Sequence, residues 1–276
     1  MLELAVTEAG GSIRLPPDQV DAVEIWRDND GVPAAYGYAR EGTYWIEYPG
    51  IGTFRFAAAG STVDAVAAEQ TSPERLRGAF RRAVLPLALQ ALGSEVLHAS
   101  GVLTQNGGIA LCGKSGAGKS TLAYGLQLRG YRAFADDAVV VDVSSTGARV
   151  SGIPFAIRLR YESSQHFGRE HRDGDEVAET DLDFHDQPEP LAAIFALEPQ
   201  RRSDTEVELT RLSPTAAFSI MLTHAYCFSL RDPERKRRMI DHYLDLVNRV
   251  PVFSVRYRSG LDQLRRMLDL IEESIP

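Results

Sequence analysis

Cysteine is scarce in this chain: 276 residues contain two, Cys112 and Cys227. That excludes a disulfide framework, and two thiols alone do not make a zinc site. Free thiols in a reducing compartment are the reading that remains. Long apolar runs are missing as well. No stretch approaches the ~20 residues that span a bilayer. The opening Met1-Leu2-Glu3-Leu4-Ala5 has neither the basic start nor the apolar run of a signal peptide. A cytoplasmic protein without a membrane partner is therefore expected. Positive charge is in deficit, with a formal net charge of −8. This argues against nucleic acid as a partner, because gripping a phosphate backbone takes clustered Lys and Arg. Internal repeats and low-complexity segments are absent. The chain is 44% hydrophobic, enough for a real core, and its length suits one large domain or two modest ones.

The first part is β-rich. Val23-Glu24-Ile25-Trp26, Tyr44-Trp45-Ile46-Glu47-Tyr48 and Thr53-Phe54-Arg55-Phe56 alternate as strands do, with a turn at Pro49-Gly50-Ile51-Gly52. Thr71 and Glu74 have capping-box spacing, so a helix is expected from there. Leu76, Phe80, Ala83 and Leu87 continue it at helical spacing, Pro86 should kink or restart it, and it ends near Gly93. These features predict a small α+β N-terminal domain over 1–94.

From Val96 onward strands alternate with helices, which predicts an α/β domain over 95–276. Val96 to Leu103 and Gly108 to Cys112 read as a hairpin turned at Gln105-Asn106-Gly107. Lys119 to Arg129 reads as a helix stopped by Gly130. Tyr131 to Ala135 and Ala138 to Val143 read as strands separated by Asp136-Asp137, and Phe155 to Arg160 as another. Residues 161–190 are rich in Asp, Glu, His, Gly and Arg and show little periodicity, the texture of a flexible loop or lid. Leu191 to Leu197 resumes as a strand. Ser213-Pro214, Asp232-Pro233 and Ser259 with Asp262 mark three helix starts, with a short strand, Val252 to Val255, before the last.

One stretch carries specific chemistry. Gly113-Lys114-Ser115-Gly116-Ala117-Gly118-Lys119-Ser120 fits G-x-x-x-x-G-K-[ST] between an apolar strand and a helix. Its glycines allow a tight turn whose N–H groups, with the helix N-terminus, form a seat for phosphate oxygens. Lys119 supplies a point charge for the outer phosphates, the Ser120 hydroxyl is a ligand for Mg²⁺, and Thr121 is placed for an inner phosphate. Lys114 reads as a solvated side chain at the rim. ATP with Mg²⁺ is the expected ligand.

Asp136-Asp137 closes a strand expected to lie beside the strand that feeds this loop. On a straight strand the two carboxylates point to opposite faces; a bend lets both reach the terminal phosphate. One acid then serves the metal and the other accepts a proton from an attacking hydroxyl. His98, in Val96-Leu97-His98-Ala99-Ser100, reads by itself as a core histidine. Arg158 and Arg160 share a strand face, and either could stabilise charge on a transferring phosphoryl group. The basic run Arg231 to Arg238 reads as a solvated helix face or a grip for an acidic peptide. His224 and Tyr226 read as core-edge residues.

The segment from His98 to Asp137 resembles the HPr serine kinase family. That family carries a His in a strand, a G-x-x-G-x-G-K-S loop, a helix ending in Arg-Gly, and Ala-Asp-Asp. Here these stand at His98, Gly113 to Ser120, Arg129-Gly130 and Ala135-Asp136-Asp137, at matching intervals. The resemblance implies a phosphoenolpyruvate carboxykinase-like P-loop fold, Asp137 as proton acceptor, His98 in the active site and Ser120 on Mg²⁺. Beyond it, Gly152-Ile153-Pro154 with Ile157-Arg158-Leu159, Leu191 to Glu198, and Leu212 to Phe218 are similar to a divergent branch of that family, the kinases found with lasso-peptide modification clusters. The glycine-rich Glu-x-Arg-Gly-Leu-Gly segment of HPr kinases is missing after residue 150. The expectation is a kinase that phosphorylates a Ser hydroxyl of a peptide or protein such as a lasso precursor. Catalysis then falls to Asp137, His98, Lys119 and Arg158, nucleotide binding to Gly113 through Thr121, and the metal to Ser120 and Asp136. A small-molecule kinase and a nucleotide-dependent regulatory ATPase are the rival expectations, and homo-oligomerisation stays open. An ABC-type ATPase is excluded, because no Leu-Ser-Gly-Gly-Gln stretch occurs.

Overall fold

Tight turns set the register of the first sheet. In the computed structural model, which describes residues 2–6, 21–28, 30–153, 156–169, 177–180, 187–200 and 206–275, Glu41 and Gly42 both have positive φ, 50° and 73°. That is the backbone a two-residue hairpin needs, and it joins β3 to β4. The strands are β1 (Glu3–Val6), β2 (Glu24–Arg27), β3 (Pro33–Arg40), β4 (Thr43–Tyr48), β5 (Gly52–Ala57) and β6 (Thr62–Ala67). They pair in the order β1-β6-β5-β4-β3-β2, antiparallel except for β1 on β6. Ile46, Phe54, Val63 and Ala65 are fully buried in this unit.

The helix after β6 begins one residue later than the capping-box spacing suggests. Ser72 is the cap, accepting from the Arg75 N–H at 3.2 Å, while the Thr71 hydroxyl donates to the Gly50 carbonyl. Pro86 does restart the helix. It has no N–H for the Arg82 carbonyl and its ring crowds that turn. The chain widens into a π-helical turn over Phe80–Val84, between α1 (Pro73–Ala79) and α2 (Leu85–Ala91).

This compact unit comprises residues 1–94 together with Tyr226–Arg237, a segment that falls within the 95–276 expected for the second domain. Phe228 explains its place. The ring sits edge-on to Trp26, Tyr44 and Phe56, at centroid distances of 5.7, 5.4 and 6.2 Å, and its N–H donates to Gln90 Oε1. Arg235 is 5% exposed and donates to the carbonyls of Gln90 and Ser94, 2.9 Å each. So this member of the basic run is neither solvated nor presented to a peptide: it satisfies carbonyls at the end of α2.

The second unit, Glu95–Ala225 with Arg238–Pro276, contains β7 (Glu95–Leu97), β8 (Ala99–Thr104), β9 (Gly107–Gly113), α3 (Lys119–Leu128), β10 (Arg132–Ala135), β11 (Val139–Ser144) and β12 (Gly147–Gly152). It continues with β13 (Ile157–Arg160), α4 (Tyr161–His166), β14 (Val177–Thr180), β15 (Glu189–Gln200), β16 (Glu208–Arg211) and α5 (Pro214–His224). After α6 (Pro233–Arg249), whose residues from Arg238 on belong here, come β17 (Val252–Arg258) and α7 (Leu264–Ser274). The fold is mixed α/β. The main sheet runs β10-β8-β9-β15, with β17 on β15 and β16 on β17; β12, β11 and β7 continue from the start of β15.

Direction matters for the site. β10 and β9 both run antiparallel to β8, β15 is parallel to β9, and β17 is parallel to β15. The C-terminal ends of β9, β10, β15 and β17 therefore share one sheet edge, where open α/β sheets bind ligands.

Several expectations change here. β10 does not lie beside β9, because β8 stands between them and pairs with both. The expected strand Val96 to Leu103 breaks at His98: β7 pairs with β11, while β8 pairs with β9 and β10. Residues 161–190 are not structureless, since they hold α4 and β14, the latter paired with β13; 170–176 and 181–186 lie outside the described residues, as do Pro154 and Phe155. Ser259 does not cap α7, whose N-cap is Gln263 without a side-chain cap bond.

Packing near β10 is tight. A Cβ on Gly101 would lie 2.5 Å from the Phe134 ring, and one on Gly152 would lie 2.5 Å from the Phe134 carbonyl oxygen. Phe134 is 3% exposed, and it fixes β10 two residues before Asp136.

Candidate functional site

Between β9 and α3 the chain must turn sharply, and Gly116 and Gly118 supply it with φ of 84° each. In that left-handed region a side chain is strained. Tyr257 on β17 donates its hydroxyl to the Ala117 carbonyl, and Arg160 Nη2 donates to Ser115 Oγ at 3.2 Å, so the loop is held from two sides. Gly118 is the N-cap of α3 and has no side-chain cap bond. The first N–H groups of α3 thus stand with the loop amides where an anion can be held.

Lys119 is 6% exposed. Its Nζ lies 2.9 Å from the Gly113 carbonyl oxygen, 3.4 Å from that of Lys114 and 2.9 Å from His98 Nε2. His98 Nδ1 lies 2.9 Å from the main-chain oxygen of Asp137. A carbonyl only accepts, so Nδ1 carries the proton and Nε2 is left to accept from the Lys119 ammonium. The imidazole is therefore neutral. Burial, and then the Lys119 charge, hold its pKa below the ordinary histidine value. Burial also lowers Lys119, against the raising influence of Asp137 and Asp136.

The chain bends at the two acids, yet only one of them reaches the cavity, where a bend was expected to bring both. Asp137 has a φ of 62°, in the left-handed region that few non-glycine residues occupy, and its side chain lines the cavity at the loop. Asp136 is fully buried behind Ser120. Its Oδ1 accepts from Ser100 Oγ at 2.5 Å and Ser120 Oγ at 3.0 Å, and its Oδ2 accepts from the Arg158 N–H at 3.1 Å. Burial, and then the neighbouring Asp137, raise its pKa. Asp136 thus orients the Ser120 hydroxyl from below.

The cavity measures about 790 Å³ and is lined by loop residues from Ser115 to Ser120, by Asp137 and His98, and by Arg158 and Arg160. Ile157 and Leu159 are buried, which turns both arginines to the opposite face of β13, into the cavity. Thr121, expected at an inner phosphate, shares a hydrogen bond of 2.9 Å with Ser163 of α4. Lys114 is exposed, as expected of a rim residue. Among the described residues no group of three or more His, Cys, Asp or Glu could hold a metal by itself. The oxygen donors at the cavity, Ser120 and Asp137, suit Mg²⁺, which characteristically takes one or two protein ligands and fills its shell with phosphate oxygens and water.

Sequence reasoning missed four supports of this arrangement: Ser100, Ser163, Tyr257 and the His224 carbonyl, which accepts from the His98 N–H at 2.8 Å. The adjacent Leu97–Ala225 bridge fastens the same strand break. Burial, and then the Lys119 charge, lower the His224 pKa to about 4.

No family model matches the chain, and no curated protein matches it. Among solved structures it is similar to the Hpr(Ser) kinase/phosphatase from Coxiella burnetii, at 13% identity and a TM-score of 0.34, covering 64% of this chain and 88% of that one. A likeness at that score carries no functional weight, and the geometry of the site bears the reading that follows. No helix among the described residues is long and apolar enough to cross a membrane.

Proposed function

We propose that this protein is a kinase that transfers the γ-phosphoryl group of ATP to a Ser hydroxyl of a peptide or protein, a ribosomal precursor of the lasso type being the favoured acceptor. The fold that goes with this reading is a phosphoenolpyruvate carboxykinase-like P-loop domain. One observation carries it: His98 links the loop lysine, through Nε2, to the main chain of Asp137, through Nδ1, at the wall of a single cavity.

The loop amides and Lys119 hold the phosphates, and Arg158 and Arg160 offset charge on the transferring group. A bound Mg²⁺ would supply neutralising charge for the phosphates. Ser120 is its ligand from the loop. Asp136, expected at the metal from its place after an apolar strand, acts through Ser120. Asp137 accepts the proton of the attacking hydroxyl. Neutral His98 keeps the Asp137 main chain in place and receives the Lys119 ammonium.

The test is mass spectrometry of Ser-containing peptides incubated with the protein and Mg-ATP. A gain of phosphate on an acceptor is expected, and Asp137→Asn should bind nucleotide yet transfer at least ~100-fold more slowly. Unchanged transfer by that variant removes Asp137 from the mechanism. ATP consumption that no acceptor stimulates would favour a regulatory ATPase instead.

A further inference from the structure

The chemistry lining the cavity is divided. Toward Asp137 it is charged, with Lys119, Arg158 and Arg160. Toward the ends of β15 and β17 the lining is Pro199, Tyr257, Ser259, Gly260, Leu261, Leu264 and Met267, without a charged side chain. The Tyr257 hydroxyl is already engaged by the Ala117 carbonyl, which leaves its ring as the part offered to a ligand.

Position indicates what this apolar end is for. α7 packs along α3: a Cβ on Gly125 would lie 3.0 Å from Leu268 Cδ1. Leu264 stands one turn before Leu268 on α7, and Leu264 and Met267 both line the cavity together with residues of the first turns of α3. Thr121 and Leu122 line the cavity there too. This is the flank of α3 beyond the Lys119-Ser120 pair. Leu264 is 5% exposed and Met267 3%, while Leu261 is half-buried. Leu261 is carried by a pinned loop: Arg258 forms an ion pair with Asp262, its N–H donates to Gln263 Oε1 at 3.1 Å, and the Ser259 N–H donates to the Gln200 carbonyl at 3.3 Å.

We infer that the wall formed by Leu261, Leu264 and Met267, with the Tyr257 ring, is the seat of the nucleobase, so that the cavity grips a nucleoside triphosphate by its base as well as by its phosphates. The inference rests on the phosphate reading proposed above and adds a subsite to it. Ligand pockets gather their polar groups where orientation is set and offer apolar wall elsewhere. This cavity has that division.

Calorimetry on the full chain tests it with two probes, Mg-ATP and inorganic tripolyphosphate with Mg²⁺. Leu261→Asn, a neutral change, should weaken Mg-ATP about tenfold, from the lost burial of one leucine against the base, and leave tripolyphosphate within about twofold. Leu261→Ala, a milder change in case the first variant does not fold, should act in the same direction by about three- to fivefold. Equal weakening of both probes, or of neither, overturns the inference while leaving the phosphate site standing. Absence of binding by both probes to the unaltered protein overturns the phosphate reading, and the base subsite with it.

Discussion

Replacing Gly101 by Ala should destabilise the second unit and do so through one side chain, Phe134. The new Cβ would lie 2.5, 2.7 and 2.9 Å from three carbons of the Phe134 ring. Real Cβ atoms do not approach so closely, so something must move. The ring has little room, because a Cβ placed on Gly108 would already be 3.4 Å from it and Gly152 sits against the Phe134 carbonyl. Overpacking of this kind costs about 1–3 kcal/mol. Phe134→Leu alone should cost about 1 kcal/mol as a hydrophobic swap that loses some volume. Combined, the two should cost less than their sum by at least ~1 kcal/mol, since the smaller side chain vacates the space that the new methyl needs. Urea denaturation of the four proteins gives the cycle. Strict additivity would refute the claim that Phe134 is what confines Gly101. Because Phe134 stands two residues before Asp136, Gly101→Ala should also slow phosphoryl transfer, with Phe134→Leu partly restoring it.

Arg235→Met removes the donor to the Gln90 and Ser94 carbonyls and should cost about 2–3 kcal/mol in urea denaturation; a loss below ~0.5 kcal/mol would place Arg235 among ordinary surface residues. His224 should make stability pH-dependent. Its folded pKa is lowered from 6.5 to about 4, so the unfolded chain binds the extra proton in that interval, and stability present at neutral pH is lost as pH falls through 6.5 toward 4. The Tm of His224→Gln should therefore drop less than that of the unaltered protein between about pH 7 and pH 5, and identical drops would contradict the assignment.

The loop from Gly113 to Ser120 was legible because its chemistry is local: Gly116 and Gly118 take a backbone that only the sequence position of a glycine announces. Asp136 and Asp137 were legible as a pair and a bend between them was one of two readings left open, but the bend was expected to bring both to the phosphate and instead leaves Asp136 buried. Their division of labour depends on contacts no window shows. Ser100 meets Asp136 from 36 positions away and Ser163 meets Thr121 from 42, and a serine on a strand or a short helix carries no signature of its partner. The placing of β10 beside β8 was also hidden, since a hairpin ahead of the loop and a strand behind it can be stacked in either order. In the first unit, the strands and the restart at Pro86 followed from alternation and from a missing N–H. The places of Phe228 and Arg235 were hidden because the pattern of their own segment shows no trace of Trp26 or Gln90, which lie far back in the chain.

The central claim is that main-chain amides around one lysine are shaped to grasp a nucleotide's phosphates. Isothermal titration of the full chain with Mg-ATP, beside Lys119→Ala, tests it most directly. Saturable binding by the unaltered protein and a loss of at least ~tenfold in the variant are expected. No heat from the unaltered protein, or equal affinity in the two, would contradict the account.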